Sequence, residues 1–333
     1  MTPQQAPGAM PVDSSASKPA ASQAGATPIN TRATAPVDLT RFAWLSIAAA
    51  LATIALKTVA WRITGSVGLL SDAAESVVNL VAAIVALMAL RLAIKPPDKD
   101  HNFGHSKAEY FSAAIEGAMI FVAAGVIVVT AVQRFLHPQP LENVGVGLLV
   151  SVVASVLNGT VAWVLLRAGK QYRSMTLVAD GKHLLTDVWT SVGVVIGVGL
   201  VWLTDWPRLD ALVALAVGIN ILFTGAKLMH ESGMGLMDVS LPKEDNKRIR
   251  EILESFTGEH VMFHGVRTRE SGNRRFMDMH LLVPGAWTVQ QAHDLVEDIT
   301  DALLEAFPEL HVMIHAEPIE DPRSYDDYDF GIS

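Results

Sequence analysis

Val178-Ala-Asp-Gly-Lys-His183-Leu-Leu-Thr-Asp187-Val-Trp189 decides the fold of this chain. His183 and Asp187 are four apart, so on a helix both side chains lie on one face, one turn from each other. From Val188 to Thr204 the sequence carries no charge, which is how a membrane-spanning helix continues. A charge inside a membrane helix costs about 3 kcal/mol or more, so an ionisable pair there points to a functional site. A second polar face, Asp72, Glu75 and Asn79, precedes it. These two helices organise the chain.

Composition agrees. Of 333 residues, 50% are hydrophobic, mean hydropathy is +0.33, and the apolar residues fall in long runs. The absence of cysteine excludes disulfides, thiolate metal sites and thiol catalysis. A net charge of −9 without a basic stripe argues against nucleic acid. Seven of eleven histidines lie beyond residue 229.

Working outward, six apolar segments are expected: Phe42 to about Ile63, Leu69 to Leu92, Ala113 to Leu136, Val144 to Leu166, Leu177 to Leu203 and Leu209 to Leu228. The fourth is the cleanest, 23 uncharged residues that would span roughly 34 Å. Segments one, two and five carry polar residues and should face the bundle interior. Gly and small residues in four, five and six favour close packing. Arg91, Lys95, Lys99 and Lys107 flank the second connection and Arg167, Lys170 and Arg173 fill the fourth. The positive-inside rule then puts both termini in the cytoplasm.

Residues 1–38, rich in Ala, Pro, Ser, Thr and Gln, read as a disordered tail without a signal-peptide core. The membrane domain is expected over 39–232. Residues 233–320 read as a soluble domain of order αββαβ: helix Lys243–Phe256, strands Val261–Arg269 and Arg275–Val283, helix Val289–Phe307 and strand His311–Glu317. Residues 321–333 read as an acidic, disordered tail.

Glu75, Asn79, His183 and Asp187 together give two i, i+4 pairs on two helices, four N/O donors that suit the tetrahedral preference of zinc. Interhelical hydrogen bonds that fix packing are the alternative. Asp72 shares the face of Glu75 and Asn79 as ligand, supporting partner or proton relay. Asp98, His101 and His105 form a D-x-x-H-x-x-x-H loop cluster, or a solvated turn. His264, His280, His293, His315 and Glu317 gather in the soluble domain, where any single histidine could be an ordinary surface residue.

The chain resembles the cation diffusion facilitators, a family of divalent metal/proton antiporters, over about residues 40–320. Ser66-Val-Gly-Leu-Leu-Ser-Asp-Ala-Ala-Glu-Ser-Val-Val-Asn79 and Ala179-Asp-Gly-Lys-His-Leu-Leu-Thr-Asp187 carry the resemblance. So do Gly104-His105-Ser-Lys107-Ala-Glu109, Arg267-Thr-Arg-Glu-Ser-Gly272 and Met279-His280-Leu281. It implies a homodimer of six-helix protomers in the lipid bilayer, with a cytoplasmic metallochaperone-like, ferredoxin-like α+β domain. It places Glu75, Asn79, His183 and Asp187 at the transport site, and Asp98, His101 and His105 at a loop site. His264, His280, His293, His315 and Glu317 match a cytoplasmic binuclear site, and Lys107 and Asp238 a salt bridge joining the two domains. The family commonly has Asp or His in place of Glu75 and Asp in place of Asn79, which leaves the metal open. Histidine favours zinc or iron over manganese.

The expected function is efflux of Zn2+, or of Fe2+, Co2+ or Mn2+, across a bacterial inner membrane in exchange for protons, with the metal also a regulatory ligand. A metal-responsive membrane sensor or regulatory subunit is the rival. An enzyme is not expected, because every matched ligand is used and no coordination position stays open for catalysis.

Overall fold

The computed structural model describes residues 37–64, 67–137, 144–204, 206 and 208–325. Six long helices come first: α1 (Thr40–Thr64), α2 (Val67–Ala93), α3 (Ala108–Leu136), α4 (Val144–Tyr172), α5 (Met175–Thr204) and α6 (Arg208–Leu236). Among the described residues, Thr40–Ile63, Ala108–Leu136, Leu149–Tyr172 and Ala211–Leu236 are long and apolar enough to cross a membrane.

The bundle is held by small residues where helices meet. α3 lies along α6, α4 along α5 and α1 along α2. A Cβ on Gly225 of α6 would stand 2.8 Å from the Phe121 backbone nitrogen, so only glycine allows α3 and α6 to approach this closely. Ala43, Ala83, Ala162, Leu165, Leu177 and Leu184 fill the seam between α1, α2, α4 and α5.

Three helices outrun their apolar segments. α3 begins at Ala108 rather than Ala113, α4 continues from Leu166 to Tyr172, and α6 from Leu228 to Leu236. Backbone hydrogen bonding continues after hydropathy falls, and Glu109, four residues before the expected start of α3, is buried.

The C-terminal domain is α7 (Lys243–Glu254), β1 (Met262–Ser271), β2 (Arg274–Val283), α8 (Val289–Ala306) and β3 (Leu310–Pro318), the αββαβ order expected. Thr288 and Gln291 form a reciprocal capping box that starts α8. The sheet order is β1-β2-β3, the first pair antiparallel and the second parallel. Met277, Met279 and Leu281 alternate toward Ile249, Leu253, Ile299 and Leu303 of the two helices. Phe276, Asp278 and His280, one residue out of phase, therefore occupy the opposite face.

The tail expected over residues 1–38 lies outside the described residues except for Val37 and Asp38, whose carboxylate accepts from Thr40 N at 2.9 Å. At the other end the chain departs from the expected disordered tail. Pro322–Tyr325 form a 3-10 turn, fixed by Ser324 Oγ donating to Pro318 O (2.8 Å) and Tyr325 Oη to Ile319 O (2.9 Å). Two local side-chain bonds order a stretch whose composition alone reads as solvated. Residues 326–333 lie outside the described range.

Candidate metal centre

Among the described residues, α2 and α5 meet at three polar side chains. Asn79 and His183 are buried, 4% and 6% exposed, and Asp187 is half-buried. His183 Nε2 stands 2.9 Å from Asn79 Oδ1. Asn79 Nδ2 donates to Asp187 Oδ2. Asn79 is thus an amide bridge that accepts from the imidazole and donates to the carboxylate. His183 Nδ1 is buried without a hydrogen-bond partner among the described residues. Glu75 stands one turn before Asn79 on α2 and Asp72 nearly two turns, but both side chains lie outside the described residues. Their place in the site remains the expectation set out above.

A second cluster sits in the connection between α2 and α3. Asp98 Oδ1 accepts from the backbone N–H of His101 (2.7 Å) and of Asp100 (3.0 Å), an Asx turn that folds the loop back on itself. His101 Nδ1 stands 3.2 Å from Asp98 Oδ1 and His105 Nε2 3.3 Å from Asp98 Oδ2. The hydrogen bond from the His101 backbone, with that from Asp100, holds the Asp98 carboxyl below its ordinary range. Donor atoms of the three residues all lie within 4.8 Å of one another, a spacing that could hold a metal ion.

The third cluster is built by strand register. His264 pairs with His280 across β1 and β2, and His280 with His315 across β2 and β3. The three histidines form one row on the face opposite the helices. Glu317, two residues after His315, falls on the same side. Its Oε2 lies 3.2 Å from His280 Nδ1 and 3.5 Å from His264 Nε2, and its Oε1 3.3 Å from His315 Nδ1. His264, His280 and Glu317 form a compact group of candidate ligands. His293 stands apart. It is exposed on α8 with its Nδ1 3.8 Å from Glu297, so within one chain the structure does not bring it into the row. Sequence reasoning grouped it by proximity in the chain, whereas α8 covers the other face of the sheet.

The connection carrying the loop cluster is docked on the C-terminal domain. Lys107 Nζ lies 3.0 Å from Asp238 Oδ1, which Arg269 also approaches at 3.1 Å. Burial would push the Asp238 carboxyl up, but the hydrogen bonds from Lys107 and Arg269 hold it below its ordinary value of 3.8. Ser106 and Ser271 share a hydrogen bond at 3.0 Å, Arg274 Nη1 donates to Phe103 O at 3.1 Å, and Phe103 meets Phe276 edge-on.

Sequence reasoning missed several buried polar groups. Asn158 of α4 reaches Asp187. Ser46 donates to Asp180 Oδ1 (3.0 Å), Ser112 to Glu116 Oε1 (3.1 Å) and Ser174 to Glu109. The signal was present: a lone carboxamide or carboxylate in an apolar helix is rarely idle.

A bundle with ionisable groups at its centre, joined to a small histidine-bearing α/β domain, defines a membrane transporter for a charged solute. The comparisons specify it. Residues 43–237 match the cation efflux transmembrane domain, and residues 241–319 the cytoplasmic domain of cation efflux proteins. The chain therefore belongs to the cation diffusion facilitator family of metal transporters. It is 53% identical over 284 residues to the uncharacterised transporter sll1263 of Synechocystis sp., covering 85% of this chain and 92% of the relative. It is 36% identical over 277 residues to the cation-efflux pump FieF of Serratia proteamaculans (81% and 90% covered). With FieF of Escherichia coli it shares 33% over 284 residues (84% and 93% covered).

Proposed function

We propose that this protein exports a divalent metal cation from the cytoplasm in exchange for protons, zinc foremost, with iron, cobalt and manganese within reach. The observation that carries the reading is the meeting of Asn79, His183 and Asp187 from two helices inside the bundle. With Glu75 they form the transport site, and Asp72 supports it. Metal binding needs a neutral imidazole and ionised carboxylates, so protons and metal compete for the same groups. A site open to the cytoplasm loads metal; open to the acidic side, it releases metal and takes up protons.

Residues 39–232 form the transmembrane unit and 233–320 the cytoplasmic, dimerising, metal-binding unit, with both termini in the cytoplasm of a bacterial cell. Asp98, His101 and His105 bind a metal at the loop. His264, His280, His315 and Glu317, with His293 added across the dimer, bind a regulatory pair.

The test is flux in proteoliposomes. Metal should enter against its own gradient when the lumen is acidic, with protons leaving as it enters. Flux indifferent to the proton gradient, with no proton counterflow, sinks the antiport reading.

A further inference from the structure

The transport site above draws on α2 and α5. A third helix reaches it. Asn158 lies midway along α4 and is 4% exposed. Its Nδ2 donates to Asp187 Oδ2 at 3.2 Å, the oxygen that also accepts from Asn79. Its polar neighbours behave differently. Ser155 and Thr160 turn their hydroxyls back onto the carbonyls of Ser151 and Val156 in their own helix, each at 2.7 Å. Asn158 alone of these three extends to another helix.

Its other branch is unused. Asn158 Oδ1 is buried and accepts no hydrogen bond among the described residues. A buried amide oxygen without a donor is unfavourable and calls for a reason. Packing supplies none, because an apolar side chain of the same size would fill the space without that cost.

The carboxamide is planar, and its terminal torsion has two comparable settings half a turn apart. The second setting exchanges Oδ1 for Nδ2. The oxygen then stands where the nitrogen stands now, 3.2 Å from Asp187 Oδ2. Two oxygens bound to one divalent cation at roughly 2.1 Å are about 3.0 to 3.4 Å apart, for right-angled to tetrahedral arrangements. The spacing therefore fits two donors of one coordination sphere. Without a cation, the amide oxygen would face a carboxylate oxygen and be repelled, so the N–H side faces Asp187.

We propose that Asn158 is a metal-binding residue of the transport site, which turns its amide oxygen onto the cation and so sets selectivity. The proposal rests on the transport-site reading of Asn79, His183 and Asp187. Zinc is satisfied by four donors. A further hard oxygen favours ions that take more oxygen ligands, manganese above all. Asn158 thus widens the range of a site whose imidazole alone would narrow it.

The experiment compares Zn2+, Co2+ and Mn2+ flux in proteoliposomes for the parent, Asn158→Leu, Asn158→Asp and Asp187→Ala. Asn158→Leu should lower Mn2+ flux relative to Zn2+ by about 10- to 100-fold, the scale on which groups around a metal act. Asn158→Asp, which keeps the shape and offers only oxygens, should raise the Mn2+ to Zn2+ ratio. A bracing role toward Asp187 would lower all three ions alike, so ratios unchanged in both variants overturn the proposal. If Asn158→Leu does not fold, an unchanged ratio in Asn158→Asp overturns it by itself. Normal flux of all three ions in Asp187→Ala removes the transport-site reading and this proposal with it, whereas loss of flux there leaves the Asn158 ratios to decide.

Discussion

Arg173 places its Nη1 2.6 Å from Glu309 Oε1, and that same oxygen lies 3.7 Å from Nη1 of Arg275. Arg173 sits in the turn between α4 and α5 with a positive φ of 53°, two residues before the helix that carries His183 and Asp187. Glu309 directly precedes β3. Arg275, 3% exposed at its side chain, continues the network to Asp245 at 2.7 Å and Glu270 at 3.7 Å. The start of α5 is thereby tied to the cytoplasmic sheet.

Arg173→Glu should weaken that tie and slow transport, and Glu309→Arg in the same chain should restore part of it. Both side chains are partly exposed, so the pairwise coupling is small, about 0.5 to 1 kcal/mol. A double-mutant cycle on metal flux measures it. Strictly additive effects would show that the pair carries no coupling.

Asp187→Ala should abolish transport while leaving a folded protein. Asp187 accepts from both Asn79 and Asn158 and supplies one of two carboxylates assigned to the site. Loss of a charged ligand should weaken binding by 10-fold or more, roughly. Calorimetry and reconstituted flux check it, and near-parental flux contradicts the assignment.

Asn79→Asp should alter selectivity more than folding. The amide now accepts at one end and donates at the other. A carboxylate cannot donate to Asp187 and adds a charge beside it, so the empty site is strained and the occupied site tightened. Tighter metal binding with slower release is expected. Relative rates for Zn2+, Fe2+, Mn2+ and Co2+ that match the parent would place Asn79 outside the site.

Residues 240–320 should bind more than one zinc per chain and dimerise more tightly when they do. His264, His280, His315 and Glu317 form one row, and a partner chain can add His293 where this chain does not. Binding should fade near pH 5 as imidazoles protonate, and metal across the interface favours the dimer by mass action. Calorimetry and sedimentation read both. A single weak equivalent without change of association, unaffected by His315→Ala, would leave the domain a structural dimerisation module.

His311 supplies a pH dependence. His311 is exposed, but partial desolvation, then the nearby Arg274 charge, hold its pKa below the ordinary 6.5, and its ring stacks on Phe276. In the unfolded chain it protonates more readily than in the folded one. Its contribution to stability is therefore complete above pH 6.5 and is lost as pH falls from there through the depressed folded value. Thermal unfolding of the parent and of His311→Phe across pH 5 to 8 should differ in slope below about 6.5 and run parallel above it. Parallel curves throughout would remove His311 from the account.

Much of the architecture was legible because membrane and sheet periodicities are strong signals. Apolar runs marked six helices, since a lipid-facing backbone must close its own hydrogen bonds. Period-two alternation over His311–Glu317 marked β3, and the Asp98-to-His105 spacing marked a cluster that one Asx turn closes. Helix ends were less legible, because backbone bonding outlasts hydropathy at Tyr172 and Leu236.

The sequence by itself determined which residues are too costly to place in a membrane without purpose: Asp72, Glu75, Asn79, His183 and Asp187. It also determined that two of them share one face of α5, because helix pitch is local. Only the tertiary structure decided which helix faces that pair. That Asn158 from α4 meets Asp187, that Arg173 meets Glu309 across 136 residues, and that His293 stands apart from the row of His264, His280 and His315 depend on packing and strand register. Those are set by the summed fit of many side chains rather than by any local spacing, so no window of sequence contains them.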